Sequence, residues 1–379
     1  MLRKIVVLTG TRADFGKLKP LLLRLEQDSN FELHVFVTGM HMLSKYGYTC
    51  AEVERLGFRK IHKFINQNAS DAMDHVLAKT VVGLSDYVRE IKPDLILVHG
   101  DRVEALAGAT VGALNNVRTG HIEGGEVSGT VDELIRHAVT KLSHAHFVAN
   151  AEARTRLIQL GEHQESVFEI GSPDIDVMNS NTLPTLAEIK QRYEMEFEHY
   201  GILIFHPVTS ELDDLRRQIQ VVIDRLIASE RNYVVIYPNN DHGTDIILEE
   251  YRRLKGNARF RIYPSMRFEF FLSLLKNADF IIGNSSAGVR EAPHFGVPTI
   301  NLGSRQNARV RCATVVDVPI EGAAIDQALH ATEQMPRQAE SLFGEGNSAA
   351  CFHKIIAEEE FWQLPAQKYF VDRRLADPH

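Results

Sequence analysis

The sequence predicts an α/β protein built from two doubly wound halves that face each other across a cleft. Short apolar runs alternate with amphipathic helical segments along the chain, the pattern of a parallel sheet covered on both faces. Each run stops at a polar or glycine-bearing turn, where ligands sit in open α/β sheets. The alternation halts over residues 179–200, NSNTLPTLAEIKQRYEMEFEHY, and then starts afresh. A chain of 379 residues also exceeds the roughly 250–300 that one core usually supports.

The first half, residues 1–178, opens with a strand at 5–8 that ends at Thr9-Gly10-Thr11-Arg12, before a helix expected over 17–26. Gly10-Thr-Arg-Ala-Asp-Phe-Gly16-Lys17 is not a P-loop: it has one residue too many before Gly-Lys, and Leu18 stands where a hydroxyl would hold magnesium. Its amides, Arg12 and Lys17 suit a phosphate without a metal; the alternative is an ordinary turn with solvated bases. A strand at 33–37 ends at Thr38-Gly39-Met40-His41, and helical segments follow near 48–56 and 73–91.

The next stretch concentrates charge. A strand at 95–98 stops at His99-Gly100-Asp101-Arg102, a helix follows over 103–115, and a strand at 117–122 stops at Glu123-Gly124-Gly125-Glu126. Asp101 and Glu123 both fall at carboxyl ends of strands, so one ligand could meet both. Thr130-x-x-Glu133 has the form of a capping box, which predicts a helix over 131–143 with Ile135, Ala138, Val139 and Leu142 on its buried face. Asp132 then sits in the first turn, favoured by the helix dipole, with Arg136 one turn on. Alone, Asp132 reads as a helix-start acid. Beside Asp101, Glu123 and several arginines, it reads as part of a site for acid/base work on an anionic ligand. Strands at 147–149 and 167–170 close this half.

In the second half, residues 179–360, strands at 202–205, 233–237, 260–263, 280–282 and 299–302 are expected. Four of them end in polar turns: His206-Pro207, Pro238-Asn239-Asn240-Asp241, Gly283-Asn284-Ser285-Ser286 and Gly303-Ser304-Arg305. Ser285 and Ser286 offer amides and hydroxyls to an anion, or else simply cap the next helix. Glu291 follows them, placed to accept bonds from ribose hydroxyls. His41, His99 and His206 each follow a strand, which suggests ligand contact or proton transfer. Residues 361–379 hold the only Trp and are expected to form a closing helix that crosses back to the first half.

Composition narrows the classes. A net charge of −8 argues against a general nucleic-acid binder. Cys50, Cys312 and Cys351 are odd in number and far apart, so no disulfide framework or zinc site is suggested. The seventeen histidines show no metal-ligand spacing, and Asp174-Ile-Asp176 is too short a string to signal a metal. The chain enters a strand at once without a signal-peptide pattern, and no apolar run nears the ~18 residues of a membrane span. A cytoplasmic protein without membrane contact is expected.

Taken together, Gly10-Thr-Arg12, His99-Gly-Asp-Arg102, His121-Ile-Glu-Gly-Gly-Glu126, Ser128-Gly-Thr-Val-Asp132, Ile135-Arg-His137, Gly283-Asn-Ser-Ser286 and Gly-Ser-Arg305 resemble the UDP-N-acetylglucosamine 2-epimerases. The likeness is greatest to the hydrolysing branch that opens sialic-acid synthesis, and it runs from Ile5 to about Arg305. It implies the two-domain Rossmann-like fold called GT-B, no cofactor, and a homodimer or homotetramer. It also implies a reaction: UDP leaves C1 as the C2 proton is removed, and water adds across the resulting 2-acetamidoglucal to give N-acetylmannosamine.

Residue by residue, the resemblance makes Asp101, Glu123, Asp132 and His206 catalytic, with Asp101 and Asp132 handling protons and Glu123 nearest C1. Arg12, Arg102, Ser285, Ser286 and Arg305 match contacts to UDP or its phosphates, Glu291 the ribose and Asn239 the nucleotide; Lys17 joins the substrate-binding set on the loop reading above. His206-Pro-Val-Thr-Ser210 departs from the His-Arg-x-Glu-Asn pattern of the non-hydrolysing enzymes, which favours release of UDP. The rivals are a reversible UDP-N-acetylglucosamine 2-epimerase, a hydrolysing enzyme for a UDP-2,4-diacetamido-6-deoxy sugar, a GT-B glycosyltransferase, and a non-catalytic UDP-sugar sensor.

Overall fold

The computed structural model describes residues 2–68, 71–306, 309 and 312–372. The first sheet contains β1 (Arg3–Thr9), β2 (Phe31–Val37), β3 (Ile61–Lys63), β4 (Leu95–His99), β5 (Arg118–Ile122), β6 (Ala145–Val148) and β7 (Val167–Glu169). The second contains β8 (Gly201–Ile204), β9 (Tyr233–Ile236), β10 (Phe260–Tyr263), β11 (Phe280–Gly283), β12 (Thr299–Leu302) and β13 (Val315–Val318). Every pairing is parallel. The strand orders are β3-β2-β1-β4-β5-β6-β7 and β10-β9-β8-β11-β12-β13.

These orders place the site. Each sheet grows outward in both directions from one adjacent pair, β1 with β4 and β8 with β11. The crossovers on either side of such a pair lie on opposite faces, so a crevice opens beyond its carboxyl ends. Thr9-Gly10 and His99-Gly100-Asp101 stand at the first crevice, and Phe205-His206 and Asn284-Ser285 at the second. The two crevices face one cleft. Together the sheets form the two Rossmann-like domains of the GT-B type.

Apolar burial explains the strands: Ile5, Val35, Leu95, Ile96, Ile202, Val234 and Ile282 are all fully buried. The helix Met73–Ile91 matches its prediction, while β3 and β13 are additional edge strands. The first helix differs. It starts at Arg12, because Thr11 and Asp14 form a reciprocal capping box, and it continues through Pro20 to Gln27. Residues 12–16, expected as a loop, are therefore helical.

The helix Val131–Leu142 starts where expected, but without the predicted box. Thr130 Oγ1 accepts from the Asp132 N–H, and the Glu133 carboxylate takes the Ser128 N–H at 2.8 Å. Ile175, Val177 and Met178 on the short helix Pro173–Met178 already belong to the second core, so the chain enters that core before residue 179. The return to the first half also comes earlier than residue 361. The helix Ser348–Ala357 and the turn Glu359–Trp362 bury Phe352, Ile356, Phe361 and Trp362 in the first core. Residues 373–379 of the expected closing helix lie outside the described residues.

Candidate active site

The cleft encloses a cavity of about 280 Å³ lined by all twelve predicted site residues: Arg12, Lys17, Asp101, Arg102, Glu123, Asp132, His206, Asn239, Ser285, Ser286, Glu291 and Arg305. They come from both halves, and most are already engaged with one another.

At the end of β1, the expected phosphate cradle is occupied from within. The Asp14 carboxylate accepts the Gly10 N–H at 2.9 Å and the Thr11 N–H at 3.2 Å, and it also takes the Thr9 hydroxyl. The amides expected to meet a phosphate thus cap their own helix. Arg12 donates to Ser265 Oγ at 2.7 Å and Glu52 at 2.6 Å. Lys17 is buried rather than solvated, its Nζ at 3.2 Å from Glu291 and 3.3 Å from Asp174.

Asp101 follows β4 through Gly100, whose φ of 70° requires glycine-like freedom. Its carboxylate pairs with Arg136. Burial alone would raise the Asp101 carboxyl, but the guanidiniums of Arg136, Arg309 and Arg305 outweigh it and hold it below its ordinary value. Arg136 was expected to face Asp132; it is instead buried beneath Asp101. Asp132 reaches across the cleft to Arg305 at 3.0 Å. Burial and the nearby Asp101 charge push its carboxyl up, against the pull of Arg305. Two aspartates at one cleft are thereby driven in opposite directions.

Glu123 adopts φ 64°, a left-handed conformation uncommon for a non-glycine residue, at the end of β5. Its carboxylate accepts from Ser172 Oγ and Arg290 Nη2, each at 2.8 Å, with His99 Nε2 at 3.3 Å and Lys17 Nζ at 3.9 Å. Burial would raise this group too; Arg290, Lys17 and His99 overcome it and hold it well below the carboxylate range.

On the opposite wall, His206 Nδ1 accepts the Asn239 N–H at 3.1 Å, so the ring proton sits on Nε2. Burial, then the charges of Arg305 and Arg102, keep the imidazole neutral, its acidity far below 6.5. The side chain of Asn284 fixes the backbone here: Oδ1 accepts the His206 N–H at 2.6 Å, and Nδ2 donates to the His206 carbonyl at 2.8 Å. Ser285 Oγ accepts the Ala287 N–H at 3.3 Å, so it caps the following turn while still lining the cavity. Arg102 donates to Asn240 Oδ1 at 3.0 Å, a further tie between the halves.

Two other expectations change. His41 is a core residue, bonded to Thr9 at 3.0 Å and Thr49 at 2.7 Å, and only His99 and His206 of the three strand-end histidines reach the cavity. Asp176 binds the N–H groups of Ser348 and Ala349, each at 2.8 Å, while Asp174 pairs with Lys17 and Arg290. Neither aspartate of that pair is free for a cation. Among the described residues no group of three or more His, Cys, Asp or Glu side chains is arranged to hold a metal. Sequence reasoning missed Asp14 and Arg290, and it named Arg136 and Asn284 without their partners here, Asp101 and the His206 backbone; Asp14 carried a local signal, three residues after Thr11.

With this geometry in view, similarity to known proteins becomes informative. A family profile described as UDP-N-acetylglucosamine 2-epimerase matches residues 23–357. The chain is 46% identical over 378 residues to the UDP-N-acetylglucosamine 2-epimerase of Neisseria meningitidis serogroup B, covering 99% of this chain and 100% of that protein. This chain belongs to the UDP-N-acetylglucosamine 2-epimerase family. Another family relative, the hydrolysing UDP-N,N'-diacetylbacillosamine 2-epimerase of Legionella pneumophila, is 35% identical over 94% of this chain and 96% of its own. The fold agrees with the crystal structure of the Methanocaldococcus jannaschii UDP-GlcNAc 2-epimerase, at a TM-score of 0.79 and 21% identity over 93% of this chain and 99% of that one. No helix among the described residues is long and apolar enough to cross a membrane.

Proposed function

We propose that this epimerase-family chain is a hydrolysing UDP-N-acetylglucosamine 2-epimerase, which converts UDP-N-acetylglucosamine and water to N-acetylmannosamine and UDP at the entry to sialic-acid synthesis. The observation that carries the reading is the convergence in one cleft of three carboxylates from the first half with His206, Ser285 and Arg305 from the second.

In the proposed reaction the C1–O bond breaks with its electron pair leaving on UDP. A base takes the C2 proton, and the electrons of the C2–H bond form the double bond of 2-acetamidoglucal. Water then supplies hydroxyl to C1, and a proton reaches C2 on the opposite face. C1–O cleavage runs ahead through an oxocarbenium-like state, because no carbonyl acidifies C2–H. Glu123, held ionised, suits the stabilisation of that cation.

Asp132, with its raised carboxyl, and Asp101, with its lowered one, fit opposite proton-handling roles. Neutral His206 suits donation from Nε2 to the departing oxygen. Arg12, Arg102, Arg305 and Ser286 suit the diphosphate, Glu291 the ribose and Asn239 the nucleotide. Lys17 lies among carboxylates, so its part is to hold them rather than to cradle phosphate.

Hydrolysis rather than reversible epimerisation is favoured by Pro207 and Val208, which place no cation after His206 to retain UDP. The test is a proton NMR time course with UDP-N-acetylglucosamine in deuterated water. Free UDP and α-N-acetylmannosamine deuterated at C2 are expected, with turnover lost in Asp132→Asn. Accumulating UDP-N-acetylmannosamine would replace this reading with the reversible one. Turnover of only the UDP-2,4-diacetamido-6-deoxy sugar would replace the substrate.

A further inference from the structure

Arg290 is among the most deeply buried charges in the protein, 1% exposed, and it belongs to the second half. It precedes the short helix Glu291–His294, yet its guanidinium enters the acid cluster of the first half. Nη2 donates to Glu123 at 2.8 Å, to Ser172 Oγ at 2.6 Å and to Asp174 at 3.3 Å, while Nη1 pairs with Glu126. The Phe343 ring lies 4.4 Å from the guanidinium carbon. Arg290 lines the cavity beside Glu123, yet both of its terminal nitrogens are already donated to Ser172 and the carboxylates, so what it contributes to the site passes chiefly through Glu123.

We infer that Arg290 is a positioning residue: it carries a positive charge from the second half onto Glu123, so that closing the two halves fixes Glu123 in place as a carboxylate. This rests on the reading of Glu123 as the anion facing the sugar. The charges facing Glu123 are Lys17 from the helix Arg12–Gln27, His99 from β4 and Arg290 from beyond β11. Glu126, Asp174, Glu291 and Asp101 are the neighbouring negatives, with Arg136 and Arg309 behind Glu126. Removing Arg290 leaves more carboxylate than cation in a buried space. One carboxyl must then take up a proton at neutral or mildly acid pH, and Glu123 loses its nearest guanidinium.

The experiment compares wild type with Arg290→Gln, Arg290→Lys and the charge-compensated double variant Arg290→Gln/Glu126→Gln. The first readout needs no turnover: the side-chain carboxyl 13C resonance of Glu123, assigned with Glu123→Gln, is followed from pH 8 to 5 in the ligand-free protein. It should stay a carboxylate in wild type and Arg290→Lys and titrate in Arg290→Gln. The second is kcat/KM on whichever UDP-sugar the enzyme turns over. In Arg290→Gln it should fall at least tenfold at pH 8 and by a further ~10-fold per pH unit below the new Glu123 titration. Arg290→Lys should lose rate without that acid limb.

A Glu123 resonance that stays a carboxylate in folded Arg290→Gln, or a rate loss equal at every pH, overturns the inference. If Arg290→Gln does not fold, the double variant carries the same test. Failure to turn over any UDP-sugar refutes the proposed function and leaves the resonance test standing.

Discussion

Replacing Asn284 with alanine tests whether the polar turn after β11 is a scaffold for His206. Its side chain is buried, 1% exposed, and bonds both the N–H and the carbonyl of His206, at 2.6 and 2.8 Å. Its own carbonyl, which accepts from Arg305 at 3.2 Å and Gln306 at 3.1 Å, survives the substitution. The cost is therefore two buried backbone groups left unpaired, each about 1–3 kcal/mol. A total of ~3 kcal/mol allows for partial rehydration from the cavity, and at ~2–4 °C per kcal/mol it lowers Tm by roughly 6–12 °C.

Asn284→Asp keeps the acceptor and loses only the donor, so it should show about half that loss. Freed of this clamp, His206 should lose its Nδ1 bond to Asn239, which 15N NMR of the imidazole reads as a mixture of tautomers. The rate should fall by about 100-fold, the usual consequence of ångström-scale misplacement. A melting temperature within 2 °C of wild type, with His206 still protonated on Nε2 alone, would refute the scaffold argument.

Two further outcomes follow from the same reasoning. A Cβ on Gly16 would lie 2.3 Å from Phe268 Cβ, where the first helix of one half meets the other half, so neither side chain can rotate away. Gly16→Ala should hold the cleft open: KM for the UDP-sugar rises, and small-angle scattering shows a larger radius of gyration. Mild stabilisation with unchanged KM, the usual helix effect of about 0.4–1 kcal/mol, would contradict it.

Stability should also fall in mild acid. Burial pushes His41 from 6.5 to about 3 and His121 likewise, so both are neutral when folded and protonate when the chain unfolds. The unfolded state then binds more protons below pH 6.5, and stability drops as pH decreases through that value. Each residue removes ~2 kcal/mol between neutral pH and pH 5. Melts from pH 8 to 5 check the sign, and His41→Asn or His121→Asn should flatten the slope.

What the sequence made legible was whatever depends on burial along a strand and on where the strand stops. Leu95-Ile-Leu-Val98 is apolar because both sheet faces are covered, and its end announces Asp101. β3, Ile61-His-Lys63, and β13, Val315-Val-Asp-Val318, are short edge strands with polar residues, so no apolar run marked them. The start of the first helix was legible in principle, since Thr11 and Asp14 have capping-box spacing; Lys17 drew the reading toward a loop. Arg136 shows a deeper limit. Helical spacing identifies neighbours on one helix, but Arg305 from the other half claims Asp132, and Arg136 turns to Asp101 on the adjoining strand end. Arg290 gave no signal at all, because its partners lie 116–167 positions away.

Those partnerships sort the cleft's cations by what an entering anion can do to them. The Arg290 and Lys17 pairs are buried on both sides, so separating them strands a charge away from water, and they stay closed. The pairs of Arg102 with Asp241 at 4.0 Å and of Arg305 with Asp132 at 3.0 Å each keep a partly exposed carboxylate, although the Arg305 side chain is itself buried. An anionic ligand can take over those two arginines, because each carboxylate left behind keeps contact with water. Taking Arg305 from Asp132 leaves Asp101 as the dominant nearby charge, which pushes the Asp132 carboxyl further up. Glu123 keeps its buried cations throughout and stays ionised. Anion binding thus widens the separation between one carboxyl that can hold a proton and one that cannot, which is what the proposed proton transfer beside a developing sugar cation requires.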